Sequence, residues 1–577
     1  MKVLMLKQKL IFSKSILIFL LLFFTPGLTG CTTFNGNENL YSQGMVVSAD
    51  SLATEVGIKI LRSGGNAIDA AVGVGFALSV TYPVAGNLGG GGFMVIKKAN
   101  GEEFTLDYRE KAPKLAKRDM YLNSEGNFVD SLAQEGILAS GVPGSVSGML
   151  YALANHGTMS REDVIMPSVE LAKKGFYLSE ATANSFNRYR SSFIKFPSTT
   201  KYFTKDSALF APGDIFVQSD LANTLGRIIE NGTDGFYRGK TAELIVAQSQ
   251  KMDGIISFDD LMKYNTVVRE VVTGNYRGFK ILSMPPPSSG GIALIELLNI
   301  LENIDLKSLG HNSTKYVHYL TEAMRRVYAD RSKYLGDPDF YPVPIDSLIS
   351  KNYAKKLYSQ ITSSASNSAD ILPGLVESSE SMETTHYSII DKWGNAVSVT
   401  TTINSGYGSK VVVDGAGFFL NNEMDDFSAK PGVPNQFGLL GSEANSIEPG
   451  KRMLSSMTPT IVLKDDKPVL IVGSPGGSTI ITAVLQVVLN VLDFEMDVNE
   501  AVDAPRIHHQ WYPEHISIED GVLDSSGTLE LINMGHKVKD IPYLGLIEAI
   551  KIDQKTGRVS GATDRRGFGL AKGELDK

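Results

Sequence analysis

Cysteine is almost missing from this chain: Cys31 is the single thiol among 577 residues. One thiol excludes disulfides within the chain and zinc sites built on cysteine. A basic stripe is missing too, since 55 Lys and Arg stand against 63 Asp and Glu, a net charge of −8. Nucleic-acid binding needs clustered cations to neutralise phosphates, so no nucleic-acid partner is expected. The 56 glycines cluster locally instead of recurring at a fixed period, which excludes collagen, coiled coil and solenoid. What remains is 43% hydrophobic and 20% charged. That length suits two to four ordinary domains, or one large α/β body with inserted segments.

The cysteine sits in an informative place. Lys2, Lys7, Lys9 and Lys14 precede an apolar run over residues 15–24, too short to span a bilayer as a helix. Basic residues, a short apolar run and then small residues describe a secretory signal over residues 1–30. Leu28-Thr29-Gly30-Cys31 resembles the lipobox of bacterial lipoproteins, which implies lipid on Cys31. An ordinary signal peptide with an incidental cysteine is the alternative. Residues 31–44 are polar and read as a tether. Thr32 and Thr33 behind the cysteine, with no Asp, favour the periplasmic face of an outer membrane, held by a lipid anchor only.

The globular part begins at Met45. Asp50 or Ser51 is placed to cap a helix with the apolar face Leu52, Val56, Ile60 and Leu61, stopped by Gly64-Gly65. Residues 67–80 form a second, small-residue helix. A hairpin follows over 93–98 and 104–109, turned by Asn100-Gly101. Helical patterns recur around 167–174, 221–230, 292–301 and 314–335, and the Ser-heavy run 363–381 reads as exposed and mobile. Beyond it the texture becomes strands: 385–391, 396–404, 460–463 and 469–473, with Ser474-Pro475-Gly476-Gly477 opening a helix to about Leu492. Two sheets with helices on their outer faces are the natural packing for this order, a layered α/β body.

If 391–395 is a five-residue hairpin loop, Ile390 faces Ala396 and Thr384 faces Thr402, with Asn404 on the same strand face as Thr402. An internal threonine hydroxyl is a feeble nucleophile. It becomes useful when its residue is the chain terminus, because a free α-amine with pKa near ~7.7–8.0 is a built-in base. Two ordinary strand threonines are the alternative at this point.

Glu383-Thr384-Thr385-His386-Tyr387-Ser388 resembles the processing site of the γ-glutamyltranspeptidases (glutathione hydrolases), N-terminal nucleophile hydrolases. The likeness continues through Gly64-Gly65-Asn66, Leu88-Gly-Gly-Gly-Gly-Phe93, Asp107-Tyr-Arg-Glu110, Gly141-Val-Pro-Gly144, Asn421-Asn-Glu-Met-Asp-Asp-Phe427, Leu454-Ser-Ser-Met457 and Gly473-Ser-Pro-Gly-Gly477. Each motif alone is weak; in this order, together, they are specific.

The resemblance implies an αββα sandwich built by two subunits from one precursor. The cut falls between Glu383 and Thr384, giving a large subunit, 45–383, and a small subunit, 384–577. It implies that Thr384 is the nucleophile with Thr402 bonded to it, and that Gly476 and Gly477 donate to the oxyanion. A Gly-Gly between a strand and a helix start is suited to that, having bare N–H groups with a helix dipole behind them. For a γ-glutamyl group the resemblance puts the α-carboxylate on Arg109, Ser455 and Ser456, and the α-ammonium on Asn404, Glu423 and Asp426. An Arg fork grips a carboxylate in two places.

Bacterial relatives cover the site with a lid bearing Tyr. Here the matching loop, 431–437, offers Phe437, which retains an aromatic cover and loses the phenol's hydrogen bond. His508-His509 lacks partners at recognisable ligand spacing, so it reads as a surface or packing pair, with no metal and no cofactor expected. The expected activity is cleavage of glutathione and related amides through a threonyl acyl-enzyme, passed to water, amino acids or peptides. Rival readings are an acylase or poly-γ-glutamate enzyme on the same scaffold, or an inactive surface-binding lipoprotein.

Overall fold

In the computed structural model, which describes residues 44–206, 208–371 and 384–574, two antiparallel sheets lie face to face. Cys31, Glu383, the signal and most of the tether lie outside the described residues. The first sheet has the strand order Leu570–Gly573, Gly44–Ser48, Thr385–Asp391, Ala396–Thr402, Gly91–Lys97, Glu103–Asp107 and Val267–Arg269. The second runs Val559–Thr563, Glu548–Ile552, Lys467–Gly473, Thr460–Lys464, Phe279–Ser283 and Val272–Tyr276.

Alternation decides which residues meet between the sheets. On the two central strands Tyr387, Ile389, Val397 and Val399 point outward into one core with the helices Ser51–Arg62 and Ala67–Thr81. His386, Ser388, Ser398 and Thr400 point the other way. They meet the second sheet through polar contacts: the Ser388 hydroxyl donates to Glu548 O at 3.0 Å and the Ser398 hydroxyl to Val472 O at 3.2 Å. His386 joins Thr400 at 2.8 Å, and burial lowers its imidazole pKa to about 3, so it stays neutral. A second core runs from between the sheets, where it takes in Met45, Val47, Phe93 and Val95, to the far side of the second sheet beneath the helices Gly290–Leu301, Thr314–Tyr334 and Ile480–Leu492. The result is helix, sheet, sheet, helix.

Local sequence sets the element ends. Asp50 caps the first helix, accepting from Ala53 N at 3.0 Å, and Asn66 with Asp69 forms a capping box on the second. Asp465 and Asp466 both have positive φ, 49° and 59°, as a two-residue hairpin turn requires.

One sequence expectation needs correction. The Ser-heavy run is exposed at Ser363, Ser364 and Asn367, as expected, but Ser368 is buried. The buried Ser368 donates to Trp511 O at 2.8 Å and accepts from Arg325, while Ser368 N donates to Glu514 at 2.7 Å. The rest of that run, 372–383, lies outside the described residues.

Candidate active site

The hairpin register puts Thr401 opposite Thr385 and Ala396 opposite Ile390, so Thr384 stands across from Thr402. The Thr384 hydroxyl lies 3.4 Å from that of Thr402. The Thr402 hydroxyl accepts from Asn404 N at 2.8 Å, which fixes its rotamer and leaves its proton for another acceptor. Asn404 leaves the strand at φ 77°, and its amide donates to Asn422 O at 3.0 Å. Asn87 holds the strand end from behind, donating to Thr402 O at 3.0 Å and accepting from Gly90 N at 2.9 Å. The glycine run explains itself here: a Cβ on Gly90 would sit 2.1 Å from Thr402 O.

Thr384 and Thr402 open on a small cavity whose walls include Arg109, Asn404, Glu423, Asp426, Ser455, Ser456, Phe437 and Gly477. Residues from both sides of the expected cut therefore converge. Gly476 lies on the other flank of Thr384, in a second cavity that also reaches the threonine. Gly476 and Gly477 take φ 136° and 54°, a conformation natural to glycine, directly before the helix Ile480–Leu492.

The charged wall is an ion cluster. Arg109, 1% exposed, contacts Glu423 at 2.6 Å, pairs closely with Asp426, and lies 3.5 Å from Glu110. Burial alone would lower the guanidinium's pKa; the three carboxylates hold it above its ordinary range. Burial pushes Glu110, Glu423 and Asp426 up, against the downward pull of Arg109. Three acids around one guanidinium leave surplus carboxylate, which suits an incoming ammonium. The fork expected to take the substrate carboxylate thus already rests on the two acids expected for its ammonium.

Arg331 was not found by sequence reasoning. It comes from the helix Thr314–Tyr334, lines the same cavity, and donates to the hydroxyls of Ser289 at 2.9 Å and Ser456 at 3.0 Å. No carboxylate lies within ion-pair reach of it among the described residues, and burial lowers its pKa to about 10. Nothing local marks it: its partner Ser456 is 125 residues away.

The lid is held by two backbone contacts and one side-chain amide. Gln510 donates to Phe437 O at 3.1 Å, Asn435 donates to Asp426 at 3.2 Å, and Gln436 N donates to Asp425 at 3.1 Å. The Phe437 ring covers Gly477, where a Cβ would come within 2.5 Å of it. His508 and His509 are both buried, and His508 joins Thr482 and Gln510 at 2.8 Å each, as a packing pair.

The Thr402 contact carries a prediction. Thr402→Ala is expected to slow maturation or turnover roughly tenfold to a hundredfold, the scale of one ~1–3 kcal/mol hydrogen bond to a reacting group. Thr402→Ser is expected to restore most of it. Equal rates in all three proteins, read by fragment appearance and by turnover, would remove Thr402 from the machinery.

Comparison with known proteins agrees with this geometry. Residues 53–573 match the family model described as gamma-glutamyltranspeptidase. The chain is 48% identical over 527 residues to the glutathione hydrolase proenzyme of Escherichia coli strain K12, covering 91% of this chain and 90% of that protein. Among solved structures, cephalosporin acylase from Bacillus halodurans superposes with a TM-score of 0.82 at 25% identity, covering 93% of this chain and 97% of that one. A chain of Helicobacter pylori gamma-glutamyltranspeptidase superposes with a TM-score of 0.56 at 49% identity, over 58% of this chain and 97% of its own. A layered sandwich with paired threonines at its centre, matched by that family's model along nearly all of its described length, makes this chain a member of the γ-glutamyltranspeptidase family.

Proposed function

We propose that this protein is a self-processed glutathione hydrolase and γ-glutamyl acyltransferase. The observation that carries the reading is the convergence of Thr384 and Thr402 with an Arg–carboxylate cluster in one cavity. In the precursor, the Thr384 hydroxyl attacks the carbonyl carbon of Glu383. The C–N bond breaks, the nitrogen takes a proton, and water hydrolyses the resulting ester. Thr384 then heads a small subunit, 384–577, paired with a large subunit, 45–383.

In turnover the freed α-amine takes the hydroxyl proton as Thr384 attacks the γ-carbonyl. Gly476 and Gly477 donate to the oxyanion, and Thr402 orients the nucleophile. The α-ammonium rests on Asn404, Glu423 and Asp426. The α-carboxylate rests on Ser455, Ser456 and Arg109, with Arg331 adding a second cation beside Ser456. The protonated amine leaves, and water or an amino acid or peptide amine takes the glutamyl group. No step calls for a metal or cofactor.

Matured protein incubated with glutathione and no acceptor is expected to release glutamate. Its failure to do so in a processed, folded sample would sink the proposal. The superposition with a cephalosporin acylase keeps one rival in view, an acylase on the same scaffold. The ion cluster argues against it, because a simple acyl chain gains nothing from buried carboxylates and guanidinium.

We also propose that Cys31 is lipidated after loss of residues 1–30 and ties the enzyme to the periplasmic face of the outer membrane. Its support is the Leu-Thr-Gly-Cys sequence following a short apolar run. Fatty-acid labelling is expected in the wild type and lost in Cys31→Ala; equal labelling in both refutes it.

A further inference from the structure

One helix of the large subunit reaches two turns of the small subunit. Tyr328 and Arg331 lie three residues apart on Thr314–Tyr334, so they share a face, about 4.5 Å apart along the axis. Both are buried. The Tyr328 hydroxyl donates to Ser478 O at 2.5 Å, within the short turn Gly477–Thr479 that follows directly on Gly476. Arg331 donates to the hydroxyl of Ser456 at 3.0 Å and to that of Ser289 at 2.9 Å. The first contact holds the turn of the oxyanion donors, and the second holds the serine pair.

Ser289 passes the second contact on. It belongs to Pro285-Pro-Pro-Ser-Ser-Gly-Gly291, a run that lies along the segment Ser455–Met457. The Ser289 hydroxyl and N–H both donate to Ser455 O, at 2.7 and 2.8 Å. The Ser288 hydroxyl donates to Met457 O at 2.6 Å, and Ser455 N donates to Pro287 O at 2.9 Å. The two backbones touch, since a Cβ on Gly290 would sit 2.5 Å from Met457 O. This seat also aims the serine hydroxyls. That of Ser455 accepts from Met457 N at 3.1 Å and that of Ser456 accepts from Arg331, so each keeps its own proton for a carboxylate.

We propose that the Tyr328–Arg331 face, with Ser289, is a ruler that sets the spacing between the oxyanion turn and the serine pair. It makes the enzyme select a γ-amide over the β-amide one methylene shorter. The assignment rests on the γ-glutamyl reading proposed above. Tyr328 and Ser289 are positioning residues, and neither lines the cavity. With the α-carboxylate seated on the serines, only one chain length brings the amide carbon to Thr384. A misplacement of about 1 Å costs about a hundredfold in rate. Slack at either turn relaxes that penalty, because the loosened end can follow the shorter substrate.

Matured full-length enzyme assayed on γ-glutamyl-p-nitroanilide and β-aspartyl-p-nitroanilide tests this. Wild-type kcat/KM is expected to favour the first by at least about a hundredfold. Tyr328→Phe frees the oxyanion turn, and is expected to lower kcat on the γ-glutamyl substrate about tenfold with KM within about twofold. Ser289→Ala frees the serine pair, and is expected to raise KM about tenfold with kcat within about twofold. Arg331 lines the cavity itself, so the test leaves it intact. Each variant is expected to narrow the γ over β preference at least about fivefold. A loss of folded enzyme lowers both rates alike and leaves that ratio unchanged, so an unchanged ratio in either active variant overturns the ruler. Wild-type enzyme that turns over both amides equally overturns it whatever the variants do. Wild-type enzyme that turns over neither overturns the γ-glutamyl reading as well.

Discussion

Thr384→Ala is expected to remain one chain and to turn over no γ-glutamyl substrate. The hydroxyl serves twice, first against Glu383 and then against the substrate, and alanine has no atom to replace it. Loss of a catalytic nucleophile costs at least about 10³-fold, and here the α-amine base is lost with it because the peptide bond is never cut. Denaturing gels are expected to show a single band for the variant and two for the wild type. The wild type's smaller fragment is expected to begin at Thr384. Thr384→Ser, which keeps a hydroxyl, is expected to mature slowly. A fragment beginning elsewhere, or normal processing of Thr384→Ala, would assign the cut to another residue.

The second large effect is expected at Arg109. Arg109→Met keeps the bulk and removes the cation that Glu423, Asp426 and Glu110 share. Removing one partner of a buried ion cluster strands the others, and the expected loss of transition-state binding is ~2–5 kcal/mol, or about 30-fold to several thousandfold in kcat/KM. Self-cleavage involves no free glutamyl substrate and is expected to continue. The loss is expected to appear chiefly with γ-glutamyl donors, with Arg109→Lys recovering part of it as a charge without the fork. If Arg109→Met blocks processing while the fraction that matures turns over normally, Arg109 is a structural ion-pair residue and the substrate-site assignment falls.

How far the sequence alone reaches is clearest at the central hairpin. Its register is legible because Asp391 closes the loop locally, accepting from Trp393 N at 2.9 Å and Asn395 N at 3.0 Å. Once that turn is fixed, alternation carries the pairing back to Thr384 and Thr402. The helix starts at Asp50 and Asn66 are legible for the same reason, since a cap lies within three residues of what it caps.

What is not legible depends on distant parts of the chain. Arg331 lies on a long helix whose pattern reads as amphipathic, and only folding brings it to Ser456. Ser368 sits in a serine-rich run whose composition suggests solvent, yet Arg325 and Trp511 fix it from elsewhere in the fold. Glu548 lies in a strand that local patterning does not single out, and the packing of the second sheet against the first buries it. Arg109 shows a subtler gap. Its motif points to a carboxylate partner without saying which, and the structure puts two of the chain's own acids on the fork.

The central claim is that the site recognises a γ-glutamyl group by its charged α-carbon. It is tested most directly by comparing initial rates on γ-glutamyl-p-nitroanilide and on glutaryl-p-nitroanilide, which keeps the carboxylate and lacks the α-amine. The ion cluster predicts turnover of the first and at least about a hundredfold lower kcat/KM for the second, as follows when buried charges lose their partner. Equal turnover of the two by matured enzyme would contradict the account and identify the protein as an acylase.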